Sequence, residues 1–311
     1  MNRPFSRYWM NQYLFMITRR FTLFLSAIGI ALQLMLFTSC DKFKGDQTIP
    51  AYITIDSIYI TTSMATQGSA SANITDAWVY VDDIQIGAFQ LPARVPVLQR
   101  GTHVVKILPG IKQNGIAATR ATYPFYAPIE QTVELTEGDT TALGVLKTNY
   151  ISTTEFDLIE GFEGITIAID TTIRSEVALT LTTPGSPLTF EGNHSGEIRI
   201  DKVGRLFECT NDQDFLIPFA PVYLEMNFNT NNTLVMGLFL YGISVIQQVP
   251  VVYLKRTDGE WKKIYIDLTN SLNAYSGMIQ FRIFLSAIQE TSVDEALILI
   301  DNIKVVTRKA N

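Results

Sequence analysis

The residue types that could do chemistry are few and scattered. Histidine occurs only at positions 103 and 194, and cysteine only at 40 and 209. A zinc site needs three or four imidazole or thiolate donors. His103 and His194 fall in different predicted domains and the two cysteines stand in unlike contexts, so no zinc site is expected. A serine hydrolase needs a Gly-x-Ser-x-Gly elbow with a histidine supported by a carboxylate. The sequence Gly192-Asn193-His194-Ser195-Gly196 has its serine in the wrong place and reads as a turn. No phosphate-cradling glycine loop or dinucleotide fingerprint occurs. Paired carboxylates of the glycosidase kind need only a set spacing in three dimensions, and 30 acidic side chains leave that device open. The predicted domains are small and strand-filled, however, with little room for a catalytic cleft beside their cores. No catalytic residue is assigned, and binding is the expected task.

Sugar binding asks for aromatic platforms beside amides and carboxylates, because a pyranose has an apolar face and a hydroxylated rim. The second half offers Trp261, Tyr223, Tyr241, Tyr253, Tyr265 and Tyr275 together with many asparagines. Several of these must be core. Trp261 follows the turn Asp258-Gly259-Glu260 and is read as a packing residue.

These groups sit on a chain of 311 residues, 47% hydrophobic and 17% charged, enough for one large or two ordinary cores. The formal charge is -6. Residues 1–40 contain Arg3, Arg7, Arg19 and Arg20 but no acid, so their removal leaves 20 basic side chains against 30 acidic ones. Such a surface repels phosphate backbones and anionic headgroups, which argues against nucleic acid as a partner. Attachment to a membrane must then be covalent.

The amino terminus supplies the means. Arg19 and Arg20 precede an uncharged run from Phe21 to Phe37, then Thr38, Ser39 and Cys40, the basic, apolar and small-residue regions of a secretory signal in order. The sequence Leu36-Phe37-Thr38-Ser39-Cys40 resembles a lipobox, whose cysteine is acylated and becomes the first residue of the mature chain. Lipidation is therefore assigned to Cys40, and the protein is expected at the outer membrane, on its periplasmic or outer face. A single transmembrane anchor is the alternative, since about 17 apolar residues reach the lower limit for crossing a bilayer. Met16 would make a compact start for the signal. Residues 40–48 read as a polar tether. Cys209, inside the candidate strand Leu206 to Thr210, reads as a small buried hydrophobe.

From Ile49 onward, short stretches rich in Val, Ile, Thr, Tyr and Phe recur between turn residues and no helical period appears. This predicts an all-β protein of antiparallel sandwiches. In Tyr223-Leu224-Glu225-Met226-Asn227-Phe228-Asn229 the apolar residues share one face, while Glu225, Asn227 and Asn229 are expected to face water. Leu297 to Ile300 is a continuous apolar run suited to a central strand. Residues 49–148 form the first predicted domain, with a strand at Ala77 to Val81, a turn at Asp82-Asp83 and further strands at Ile84 to Leu91 and Gly101 to Leu108. A long irregular stretch from Pro109 to Pro128 carries Tyr123, Phe125 and Tyr126. Long loops are often functional, so these rings either bind a protein partner or glycan or cap the open end of the sandwich. The second predicted domain covers residues 152–307.

The succession of Val-x-Val-Asp-Asp, a Leu-Pro step and Gly101-Thr102-His103-Val104-Val105-Lys106-Ile107 resembles PEGA-like and related immunoglobulin-like modules of bacterial envelope proteins. Phe156 to Glu163, Phe190 to Gly196, Trp261 to Leu268 and Leu299 to Val305 occur in an order similar to that of galactose-binding-like jelly rolls, the fold of many carbohydrate-binding modules. The whole resembles outer-membrane lipoproteins of the Bacteroidota. In many such jelly rolls a structural calcium ion links the first and last strands through carboxylates that map to Glu163 and Asp301, and oxygen donors suit that ion. Otherwise Glu163 is a solvated strand-end residue and Asp301 accepts hydrogen bonds from a turn. The resemblance implies a non-catalytic binding or scaffolding lipoprotein, an accessory subunit with an outer-membrane protein partner. The alternative is a surface glycan-binding lipoprotein.

Overall fold

The computed structural model describes residues 49–309 apart from Val203. The signal segment, Cys40 and the tether lie outside the described residues. The described chain is almost wholly β, with two short helices at Met64–Gln67 and Thr269–Asn273.

The first half is built from two sheets. In one, Ala51–Thr61 lies between Ala93–Val97, antiparallel to it, and Thr140–Asn149, parallel to it. In the other, Asp76–Val81 lies between Ile84–Gln90 and Gly101–Lys112, which also pairs with Arg120–Thr122 and Ile129–Leu135. Alternate residues point inward: Ile53 and Ile55 from one sheet meet Val79, Val81, Val105 and Ile107 from the other in one core. The turn expected at Asp82-Asp83 is present, with φ of 47° and 62°. Two successive left-handed residues match the twist of a tight hairpin. The stretch expected to be irregular after Pro109 is partly a hairpin instead, because Lys112 pairs with Arg120 and Gly110 with Thr122. Arg120 reaches back to the buried carboxylate of Asp76.

The second half is a jelly-roll sandwich of two six-stranded sheets. The first sheet runs Thr180–Leu181, Gly196–Ile200, Ala296–Arg308, Tyr223–Thr230, Lys262–Asp267, and Thr154–Glu160 also pairs with Ala296–Arg308. The apolar run at 297–300 thus lies in a central strand, as its composition predicts. The second sheet runs Ile169–Thr171, Leu206–Asn211, Met278–Ile288, Leu234–Gly242, Ile246–Leu254, and Phe215–Leu216 also pairs with Met278–Ile288. Leu224, Met226 and Phe228 from the first sheet and Met236, Leu238, Leu240, Phe281 and Ile283 from the second share one core. Each such side chain contributes about 1.5–3 kcal/mol by leaving water. Cys209 is buried in it, and burial pushes its thiol up to about 12.

The outer faces of the two sheets differ. That of the first is covered by the first half of the chain, through a third cluster in which Ile60, Ile111, Tyr123, Phe125, Tyr126 and Tyr150 pack on Tyr223, Tyr265 and Val306. We call it the covered sheet and the other the open sheet. The expectation that Glu225 and Asn227 face water is corrected here. They do leave the sandwich core, but the first half lies over them, and they are 0% and 2% exposed.

Candidate functional site

The aromatic segment Tyr123, Phe125, Tyr126, expected either to bind a partner or glycan or to cap the sandwich, turns its rings inward. All three rings are buried, with edge contacts at 5.4 Å between Tyr123 and Phe125 and 4.6 Å between Tyr123 and Tyr126. They cap the sandwich by filling the seam over the covered sheet, where an apolar surface needs closing. Their polar ends meet a buried charged layer. Tyr123 and Tyr150 each donate a hydroxyl to Glu225 Oε1 at 2.8 Å. Lys263 Nζ stands 3.2 Å from Glu225 Oε2, and Lys304 Nζ donates to the Ser69 carbonyl at 2.7 Å. Burial opposes ionisation of Glu225, but Lys263, Lys304 and the two hydroxyls outweigh it and hold its pKa below the ordinary value. Burial brings Lys304 down to about 8 and pushes the three tyrosines of this layer, Tyr123, Tyr126 and Tyr150, well up. These contacts join the first half of the chain to the covered sheet.

Glu163 and Asp301 line one cleft of about 540 Å³ with Glu160, Glu191 and Asp212. Their donors are accounted for within the protein. Glu163, exposed, accepts the backbone N–H groups of Asn193 and His194 at 2.7 and 2.8 Å and the Asn193 amide at 3.0 Å. Asp301, 1% exposed, accepts from Ser195 Oγ at 2.6 Å and from the Asn302 N–H at 2.7 Å, and burial raises it to about 6. Glu160 accepts the Phe162 and Ala168 N–H groups, both at 2.6 Å. Among the described residues no three acidic, histidine or cysteine side chains converge as a metal site.

The open sheet carries the more informative surface. Glu208 on Leu206–Asn211 and Gln248 on Ile246–Leu254 are separated by two intervening strands. Three strand spacings amount to about 14 Å on a flat sheet, yet Gln248 Nε2 donates to Glu208 Oε2 at 2.8 Å. The sheet must therefore curl, which makes its outer face concave. Glu208, 1% exposed, also accepts from Thr172 Oγ1 at 2.8 Å and pairs with Arg174 at 3.3 Å, while Arg174 donates to Gln248 Oε1 at 3.0 Å.

Beneath this polar bridge lies an aromatic floor. Phe284 is buried and packs on half-buried Phe239 with centroids 5.0 Å apart. Gly237 makes room for it, because a Cβ there would stand 2.4 Å from the Phe284 ring. Tyr241, half-buried on the same strand as Phe239, lies 5.8 Å from the guanidinium of Arg282, which donates to Asp214 at 2.5 Å. Of the tyrosines singled out from sequence, Tyr223 and Tyr265 are buried at the seam, Tyr275 packs against the core, and Tyr241 and Tyr253 reach solvent. Glu208, Gln248, Arg174, Phe239 and Phe284 escape sequence reasoning. Their one local signal is the strand Leu238-Phe239-Leu240-Tyr241, where buried leucines alternate with outward rings.

No family model matches the chain, and no curated protein matches it. Solved structures similar to it include the C-terminal family 22 carbohydrate-binding module of Clostridium thermocellum Xyn10B, with 11% identity, 50% of this chain and 96% of that chain covered, and a TM-score of 0.35. A family 29 carbohydrate-binding module complexed with mannohexaose shows 12% identity, 50% and 90% coverage, and a TM-score of 0.32. TmCBM61 in complex with β-1,4-galactotriose shows 13%, 45% and 87%, and a TM-score of 0.29. Likeness at this level carries no argument for a ligand, which must come from the surface itself.

Proposed function

We propose that this protein is a non-catalytic carbohydrate-binding lipoprotein, held at the outer membrane by acylated Cys40, whose concave open sheet takes a glycan chain. The observation that supports this reading is the pairing of Phe239 and Tyr241 on one outward strand face with Gln248, Arg174 and Arg282 on the same concave surface. Two rings at positions i and i+2 stand about 7 Å apart along a strand, and both offer an apolar surface for a pyranose face. The neighbouring amide and guanidinium groups supply donors for its hydroxyls. A glycan array with the purified protein tests it. Saturable binding of a neutral glycan at about 1 mM or tighter, lost in Tyr241→Ala, is the expected result, and an array blank for neutral glycans removes the reading.

A second reading, docking on an outer-membrane protein, is favoured by an apolar patch at one end of the open sheet. Leu216, Phe219, Ile243, Ile246 and Ile279 are all exposed there, Phe219 and Ile243 completely or nearly so. The pairings Leu216 with Gln280 and Tyr241 with Ile246 bring their segments together. Contiguous exposed apolar groups mark contact surfaces. Purification from the native membrane would reveal a stable partner.

A further inference from the structure

A larger cleft, of about 800 Å³, opens at the edge of the jelly roll, where Ile246–Leu254 and Lys262–Asp267 approach the 71–73 and 112–116 segments of the first half. Its walls carry Lys112, Lys255, Arg256, Lys262 and Lys263 and no carboxylate, although acids outnumber bases in the chain by 30 to 24. From outside the cleft, Glu290 and Ser292 engage Arg256, and Glu225 pairs with Lys263. An anion in the cleft would relieve the mutual repulsion of the remaining cations.

Two further observations point to the kind of anion. Phe190 and Trp261 line the cleft with ring centroids 5.2 Å apart, beside Tyr253, which is 62% exposed. Asn227 and Lys263 are cross-strand partners on the covered sheet and also line the cleft. Asn227 is 2% exposed and its Oδ1 has no hydrogen-bond partner, whereas Lys263 Nζ is paired with Glu225 Oε2 at 3.2 Å. Buried polar atoms are almost always satisfied. An amide oxygen asks for a hydroxyl donor, and a saccharide presents one.

We propose that this cleft binds an acidic saccharide, a pyranose bearing a carboxylate or sulfate, with its ring against Trp261, its anionic group toward Lys255 and Lys262, and a hydroxyl on Asn227 Oδ1. The site is separate from the concave face and does not depend on it. Calorimetry with the full-length protein in detergent compares a galacturonate oligosaccharide, a sulfated galactose oligosaccharide and a neutral galactose oligosaccharide. At least one acidic probe is expected to bind about tenfold more tightly than the neutral one, and which of the two does so identifies the substituent. That preference should weaken as salt is raised, since exposed charges are screened.

The double variant Lys255→Gln and Lys262→Gln, at two exposed positions, should lose the tenfold preference, whereas Tyr241→Ala should keep its binding of the acidic probe. Equal binding of all three probes overturns the proposal, as does full retention by the lysine variant. Loss of acidic-probe binding in Tyr241→Ala also overturns it, by moving the site to the concave face. Acidic binding without any neutral binding would sink the concave-face reading alone.

Discussion

Tyr123 donates its hydroxyl to Glu225 across 102 positions of sequence, at 2.8 Å and out of contact with solvent. This bond, its twin from Tyr150 and the nearby Lys263 and Lys304 join the first half of the chain to the covered sheet. Removing one partner of such a layer leaves uncompensated charge in a dry place. Glu225→Ala is expected to cost about 3–5 kcal/mol, read as a fall in the urea midpoint. A change below about 1 kcal/mol would mean that water reaches the seam.

Gly237 is the position where the open sheet has no room for a side chain. Gly237→Ala should destabilise by about 1–3 kcal/mol through overpacking on Phe284. Adding Phe284→Leu should return part of that loss, and a thermal melt of the single and double variants checks it.

Burial raises Asp301 from 3.8 to about 6. Its folded form holds a proton that the unfolded chain has already released between these values, so folding is favoured below about pH 4, and that contribution is lost as pH rises through about 6. Asp301→Asn cannot ionise. The stability difference, wild type minus variant, should therefore decline from pH 4 to pH 7, measured by melting temperature against pH. A flat difference would contradict the burial of this carboxylate.

Cys209 is buried with its thiol pushed up to about 12, and a thiol that stays protonated does not attack disulfide reagents. The native protein should leave such a reagent unreacted. After denaturation, the protein isolated from its own membrane should show one reactive thiol, because an acylated Cys40 has none to give. Two thiols would refute lipidation.

Much of the fold is legible in the sequence, because period-2 alternation reports which face of a strand is apolar. Leu224, Met226 and Phe228 lie inward as their spacing demands, and the Asp82-Asp83 turn falls where two short polar residues interrupt a β-branched run. Alternation says nothing about what covers the opposite face. Glu225 and Asn227 therefore read as solvated, and Tyr123, Phe125 and Tyr126 as either a ligand loop or a cap, although Tyr123 bonds to Glu225. The concave surface is hidden for a related reason. Arg174, Glu208, Gln248 and Phe284 come from four separate segments, and only the curl of the sheet brings Glu208 within reach of Gln248.

The strand Ala296–Arg308 binds three others, Thr154–Glu160, Gly196–Ile200 and Tyr223–Thr230. All three leave the ribosome well before it does. Until it emerges, their backbone groups lack their main partners and the covered sheet cannot close. Contacts this distant in sequence form slowly, so the jelly roll has to mature after synthesis of this segment.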